Sequence, residues 1–471
     1  MTADNYLHAT LGTFFTPRLE MRLFDRVENF TAESATCKNF LTYYHEHIHY
    51  FQSIFTGYGH IQWSGIRQAT GYVISEWEKL CTEANSFRLP LSNCKDNVQE
   101  SFRAWMAFKT FEEQSKVSQS RFIVTKKSTK DLGLLTIKSD WEVNPTINFD
   151  AKSRILCSKD IIEGHAYYLE KSCAVSVLSI PKDVADNREG IGDTYTAAYD
   201  WFVSECGENR QHIFPVVCDL ALQISWIPLI PSTEHEWRSA NPSWRFYLIT
   251  KALAADANLS LDMCKPWHEF YLDFCNVLTD MCGFPRLMDI LNERLKSLSS
   301  LEVGVGLSPV QMIMKNAIEY RIKRPWLTVN PSENADELEF LFEEFRIPAV
   351  LVEGRFQSQS DLSESVVVDI IGELHYQAIA DHLLGNVSVI AGDSNLMECG
   401  FSKYDIPNGC PYQVGGDCIG RFDPQDGLPV PLNVDANGVV QGCTFGVYFH
   451  NKGIRLEDVK VDYRARFPKF D

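Results

Sequence analysis

The stretch YYHEHIHYFQ, from Tyr43 to Gln52, constrains this chain more than any other. Phe40, Tyr44, Ile48, Phe51 and Phe55 recur at four, four, three and four residues, the period of an α-helix with one apolar stripe. His45, His49 and Gln52 form a polar line beside the stripe. A helix built this way must press its aromatic side into a core and turn its histidines toward a second polar element. The rest of the chain has to supply both.

At 471 residues, 45% of them hydrophobic, the chain can bury a large core. Two β-prone runs, HATLGTFF and LEMRLF, meet at Pro17 and predict an N-terminal β-hairpin over residues 8–25. The motif helix is expected from about Ser34 to Phe55, followed by a mostly helical stretch and the strand-like runs RFIVTKK and GLLTIKS. Helical patterns resume near Ser153 and recur over Thr194–Cys206, Phe214–Ile227, Trp244–Ala255 and Trp267–Leu298. PWLTVNPSEN, residues 325–334, reads as a linker, with a helix near Ser363–Leu384 and strand-like VYFH and VKVDY beyond it. The fold class expected is α+β, predominantly α-helical. Residues 1–330 are expected to form one α-rich body and residues 331–471 a smaller mixed α/β C-terminal region with a regulatory or binding role.

The 62 acidic against 44 basic residues, net charge −18, oppose a phosphate backbone, so no nucleic-acid partner is expected. KKSTK at Lys126–Lys130 is read as decorating a hairpin turn. FPVVCDLALQISWIPLIP contains Asp219 and internal prolines and reads as a buried helix, not a membrane span. MTADNYLHATLG lacks the basic start and apolar run of an export signal, so a cytoplasmic protein is expected, with its 14 cysteines largely reduced.

His45 and His49 have the HExxH spacing, which puts two imidazoles on one helix face with Glu46 beside them. Catalytic zinc takes three protein ligands and keeps a fourth position open. Two histidines therefore ask for a third ligand, and Glu46 is placed to work as a general base. The best third ligand is Glu163 in IIEGHAYYLE, where Gly164 and Ala166 allow a second helix to approach. Glu170, seven residues on, shares the face of Glu163 and is suited to hold a ligating imidazole from behind. The plain alternatives are a solvated histidine cluster and a surface carboxylate.

HEHIH followed by EGHAYYLE resembles the zincin metallopeptidases of the gluzincin kind, over about a tenth of the chain. The resemblance implies Zn2+ held by His45, His49 and Glu163, Glu46 as general base, and a zincin-like catalytic domain. His165 is the candidate donor to the oxyanion, against a structural role, with Tyr167, Tyr168, Tyr195 and Tyr199 as further candidates. His47, on neither line, is expected to be exposed or to stand behind a ligand.

Rival features are weaker. GELHYQAIADHL, with Glu373, His375, Asp381 and His382, lacks the motif spacing, and Glu353 in LVEGRF follows a strand-like run. Cys399, Cys410, Cys418 and Cys443 lack the tight pairs of a structural zinc site. The expected function is cleavage of a peptide bond in a protein or peptide substrate, in a selective or regulated intracellular setting with room for a regulatory partner. The alternatives are an inactive, metal-stabilised binding module and a small-amide hydrolase.

Overall fold

The computed structural model describes residues 12–15, 19–23, 37–83, 144–149, 152–185, 191–225, 233–262, 266–331 and 335–347, together with short strands elsewhere. The chain divides into two units, one of residues 1–63 and 106–347, the other of residues 64–105 and 348–471. The described part is predominantly helical with small antiparallel hairpins, an α+β architecture.

The first unit opens with the hairpin β1 (Gly12–Phe15) and β2 (Glu20–Leu23), in register from Gly12 opposite Leu23 to Phe15 opposite Glu20. Its buried Leu19, Met21 and Leu23 alternate as a half-buried strand requires. Helix α1 (Cys37–Phe55) carries the histidine motif, and α2 (Gly57–Glu83) begins two residues after it ends. Every residue from Tyr44 to His60 is buried, so α1 is a core helix with no solvent side over that span.

The junction of the two helices depends on glycines. The place a Cβ on Gly57 would take is filled by the Arg294 guanidinium, and one on Gly59 would collide with the backbone of Ser53 and Gln52. Three of the last four carbonyls of α1 find side-chain donors: Thr56 bonds Gln52 at 2.5 Å, His60 bonds Ile54 at 2.6 Å and Arg321 bonds Phe55 at 2.8 Å. A cation at this end also suits the helix dipole.

After the short strands at Ile123–Lys126 (β4) and Leu135–Lys138 (β5), a hairpin of β6 (Thr146–Phe149) and β7 (Lys152–Ile155) leads into α3 (Ser158–Ser176). Asp160 accepts from the backbone N–H of Cys157 at 2.8 Å and pairs with Arg154, which fixes the start of α3. The core then assembles from α5 (Asp193–Cys206), α6 (Phe214–Leu222), α8 (Pro242–Ala255), α9 (His268–Cys282) and α10 (Leu287–Val305). The short helices α4 (Lys182–Ala185) and α7 (Glu234–Ala240) connect them. Trp201, Phe202, Phe214, Phe246, Trp267 and Tyr271 fill this core, each contributing on the order of 1.5–3 kcal/mol on burial. Helix α11 (Pro309–Lys323), capped by Ser308, packs on α1, and α12 (Ala335–Glu344) follows.

Three expectations need correction. The pattern over Trp267–Leu298 is two helices, broken where Gly283 takes φ 68° ahead of Pro285. The helix from Phe214 stops at Leu222. Residues 325–331 are a packed turn with Leu327 and Val329 buried, where a linker was expected.

In the second unit, β3 (Phe87–Leu89) pairs in parallel with Val459–Val461, and the pairs Ala349–Val352 with Arg355–Gln357, Met397–Glu398 with Arg421–Phe422 and Leu432–Val434 with Val440–Gly442 are antiparallel. Glu353, the expected helix near Ser363–Leu384 with His375 and His382, and Cys399, Cys410, Cys418 and Cys443 lie outside the described residues. Among the described residues no helix is long and apolar enough to cross a membrane.

Candidate metal centre

Helix α3 packs against α1, and their facing sides bring together residues more than a hundred positions apart. His45 Nε2 and His49 Nε2 stand 3.1 Å apart, and Glu163 Oε2 lies 3.4 Å from the first and 3.2 Å from the second. Among the described residues these three form the group whose donor atoms converge closely enough to hold a metal ion. Bonds of about 2.0–2.1 Å to a tetrahedral ion set its ligand atoms about 3.3 Å apart, which the triangle matches.

Hydrogen bonds behind the two imidazoles orient them. The Nδ1–H of His45 donates to Glu170 Oε2 at 2.9 Å, and that of His49 donates to Gln52 Oε1 at 2.8 Å. Both rings thus turn an Nε2 toward the carboxylate. Three acceptors converging this closely need a positive centre among them. Without a metal, a proton supplies it: burial opposes charging His45, but its bonds to Glu163 and Glu170 prevail and hold its pKa well above the ordinary value. His49, and after it His45, overcome burial at Glu163 and keep that carboxyl well below the usual range.

Glu46 is buried and its Oε2 has no hydrogen-bond partner among the described residues. Burial raises its pKa, while His49 and His45 draw it back. Tyr195, on α5, faces the same cluster: its ring centroid is 5.9 Å from that of His45, and burial together with Glu163, Glu46 and Glu170 keeps its hydroxyl protonated. Gly164 lies where α3 meets α5, its missing Cβ 3.5 Å from the Tyr195 carbonyl oxygen and 3.7 Å from Ala198 Cβ.

The structure brings His45, Glu46, His49 and Glu163 together and sets His165 apart from them. His165 is buried behind Gln52, its Nδ1 3.2 Å from the Gln52 amide nitrogen, and burial lowers its pKa to about 4. His47 is fully buried on the opposite side of α1, where its Nε2–H donates to the Phe345 carbonyl oxygen at 3.2 Å and its ring lies 4.3 Å from that of Phe342. It is therefore neither exposed nor beside a ligand. Of the four tyrosines, Tyr168 and Tyr199 pack against Phe214 in the core, and Tyr167 packs against Tyr195.

Sequence reasoning assigned no role to Gln52, although it stands on the histidine line, and none to the buried pair of Asp219 and Arg321, joined at 2.5 Å. Asp219 was visible as the one charge in an apolar run. Comparison with known proteins found no matching family model, no matching curated protein and no matching solved structure.

Proposed function

We propose that this protein is a zinc-dependent hydrolase of the zincin kind that cleaves a peptide bond in a protein or peptide, working inside the cell. The reading is carried by the triangle of His45, His49 and Glu163 with buried Glu46 beside it, whose Oε2 has no hydrogen-bond partner among the described residues. A bound zinc ion supplies Lewis acidity, polarising a carbonyl and acidifying water toward neutral pH. Two imidazoles and one carboxylate form a donor set suited to zinc.

The chain's own residues supply the rest. His45, His49 and Glu163 bind and orient, with Glu170 and Gln52 holding the rings. Glu46 takes a proton from the attacking water and returns it to the leaving amine nitrogen. Tyr195 keeps its proton and donates a hydrogen bond to the oxyanion developing on the scissile carbonyl. A site that only stabilised a binding module would have no use for a buried carboxylate beside the triangle with an oxygen left free among the described residues. This favours turnover.

Elemental analysis of purified protein tests the site first. About one zinc per chain is expected, lost in His45→Ala and in Glu163→Ala. Cleavage of a panel of denatured proteins set against small amides then tests the reaction, with Glu46→Gln expected to keep the metal and lose turnover. Undiminished cleavage by Glu46→Gln would sink the mechanism.

A further inference from the structure

Gln52 uses every polar atom of its side chain. Its Oε1 accepts from His49 Nδ1 at 2.8 Å, and its amide nitrogen donates to the Ile162 carbonyl at 3.0 Å and lies 3.2 Å from His165 Nδ1. It is 5% exposed. The Ile162 carbonyl can only accept, so it requires the amide nitrogen toward α3 and the oxygen toward His49. With the oxygen there, His49 must carry its proton on Nδ1 and turn the Nε2 lone pair to His45 and Glu163. The second amide proton points at His165, whose Nδ1 must therefore be the acceptor.

Turning the amide over would set Oε1 against the Ile162 carbonyl oxygen and an N–H against His49 Nδ1. His49 would then exchange tautomers and bring an N–H into the triangle, where a metal cannot use it. Ile162 immediately precedes Glu163, so the same amide also ties the helix bearing two ligands to the helix bearing the third.

We propose that Gln52, locked by the Ile162 carbonyl and His165, fixes the ligating tautomer of His49 and the register of α1 on α3. Gln52 is a positioning residue for the metal, and His165 acts through Gln52. This inference rests on the metal-site reading above.

Zinc affinity is measured on the full chain by competition with a chromophoric chelator, for wild type, His49→Ala and Gln52→Met. Met keeps the length of the side chain and removes all three bonds. Alongside, long-range proton–nitrogen correlation spectra of the zinc-loaded wild type, with nitrogen-15-labelled histidine, read the tautomers directly. The expected result is His49 bound through Nε2 with its proton on Nδ1, His165 protonated on Nε2, and zinc held about 10–100-fold more weakly by Gln52→Met. His49 bound through Nδ1, or Gln52→Met holding zinc to within about ten-fold of wild type, overturns the inference while leaving the site standing. No zinc in wild type, or equal binding by His49→Ala, removes the site and the inference together. If Gln52→Met does not fold, the wild-type tautomers decide alone.

Discussion

Asp219 and Arg321 have no exposed surface, and together they anchor the end of the motif helix. Arg321 donates through Nη2 to Asp219 Oδ2 at 2.5 Å and through Nη1 to the Phe55 carbonyl at 2.8 Å. Asp219 Oδ1 accepts from Thr328 at 2.6 Å, and Oδ2 also accepts from the Tyr271 hydroxyl at 3.2 Å. Asp219→Asn keeps the shape but leaves Arg321 a buried, unpaired cation, a change that costs about 3–5 kcal/mol. Arg321→Met leaves the carboxylate uncompensated and should cost about as much, with about 1 kcal/mol more for the lost bond to Phe55. The double variant carries neither charge, so only lost hydrogen bonds remain, about 1–3 kcal/mol. The two single losses should therefore exceed the double loss by about 3 kcal/mol or more. Urea unfolding of the metal-free proteins followed by far-ultraviolet circular dichroism measures all four states. Single losses that add to within about 0.5 kcal/mol, or an Arg321→Met protein as stable as wild type, would refute the reasoning.

Gly164→Ala should stabilise the protein by about 0.5–1 kcal/mol, because a Cβ there meets its nearest neighbours at 3.5–3.7 Å and helical glycine is unfavourable. Gly59→Ala should instead melt well below wild type, since its Cβ would collide with α1 backbone; differential scanning calorimetry separates the two, and equal melting temperatures would contradict both. His60 is held neutral by burial, which with Arg294 lowers its pKa to about 3, against the Ile54 carbonyl. Its unfolded form takes up a proton near pH 6.5, so stability falls as pH drops below that value. Between about pH 7.5 and pH 5 wild type should lose about 2 kcal/mol more than His60→Gln, and parallel urea midpoints would exclude this. Glu170→Ala should weaken zinc about 10–100-fold in chelator competition, by releasing the His45 ring; unchanged affinity would show that the bond does not orient it.

The convergence of His45, His49 and Glu163 was legible because each part is local. The HExxH spacing is one helical turn, and Glu163 and Glu170 share a face seven residues apart, so pairing one helix with the other gives both the ligand and its support. The small residues at Gly164 and Ala166 pointed to a helix contact, and Gly164 meets α5 at Ala198. Other features were not local. Periodicity assumes a solvent side, and α1 has none from Tyr44 onward, so His47 was expected to be exposed or to stand behind a ligand, whereas the Phe342 ring of α12 and the Phe345 carbonyl just beyond it cover it. The cluster of Pro and Asn near residue 325 suggested a linker, yet Thr328 is fixed by its bond to Asp219, 109 residues away. Gln52 stood in plain view, but its role depends on a carbonyl of α3.

A helix buried on every side explains why so many polar groups lie behind the ligands. The backbone of α1 cannot turn to water at its last turn, so Thr56, His60 and Arg321 must satisfy its carbonyls from inside. Arg321 then needs Asp219, whose charge favours a proton on His165 without touching it, and His165 meets Gln52 behind His49. The requirement to finish a buried helix and the requirement to hold an imidazole at a fixed angle are thus met by two groups of buried side chains that meet through the charge of Asp219 on His165. That arrangement locks the site to a rigid core, where a shift of about 1 Å can already cost two orders of magnitude in rate. It also predicts that mutations far from the triangle, at Asp219 or Arg321, will lower zinc affinity as well as stability. Chelator competition on Asp219→Asn would detect this, and an affinity equal to wild type would show that the seam ends at His165.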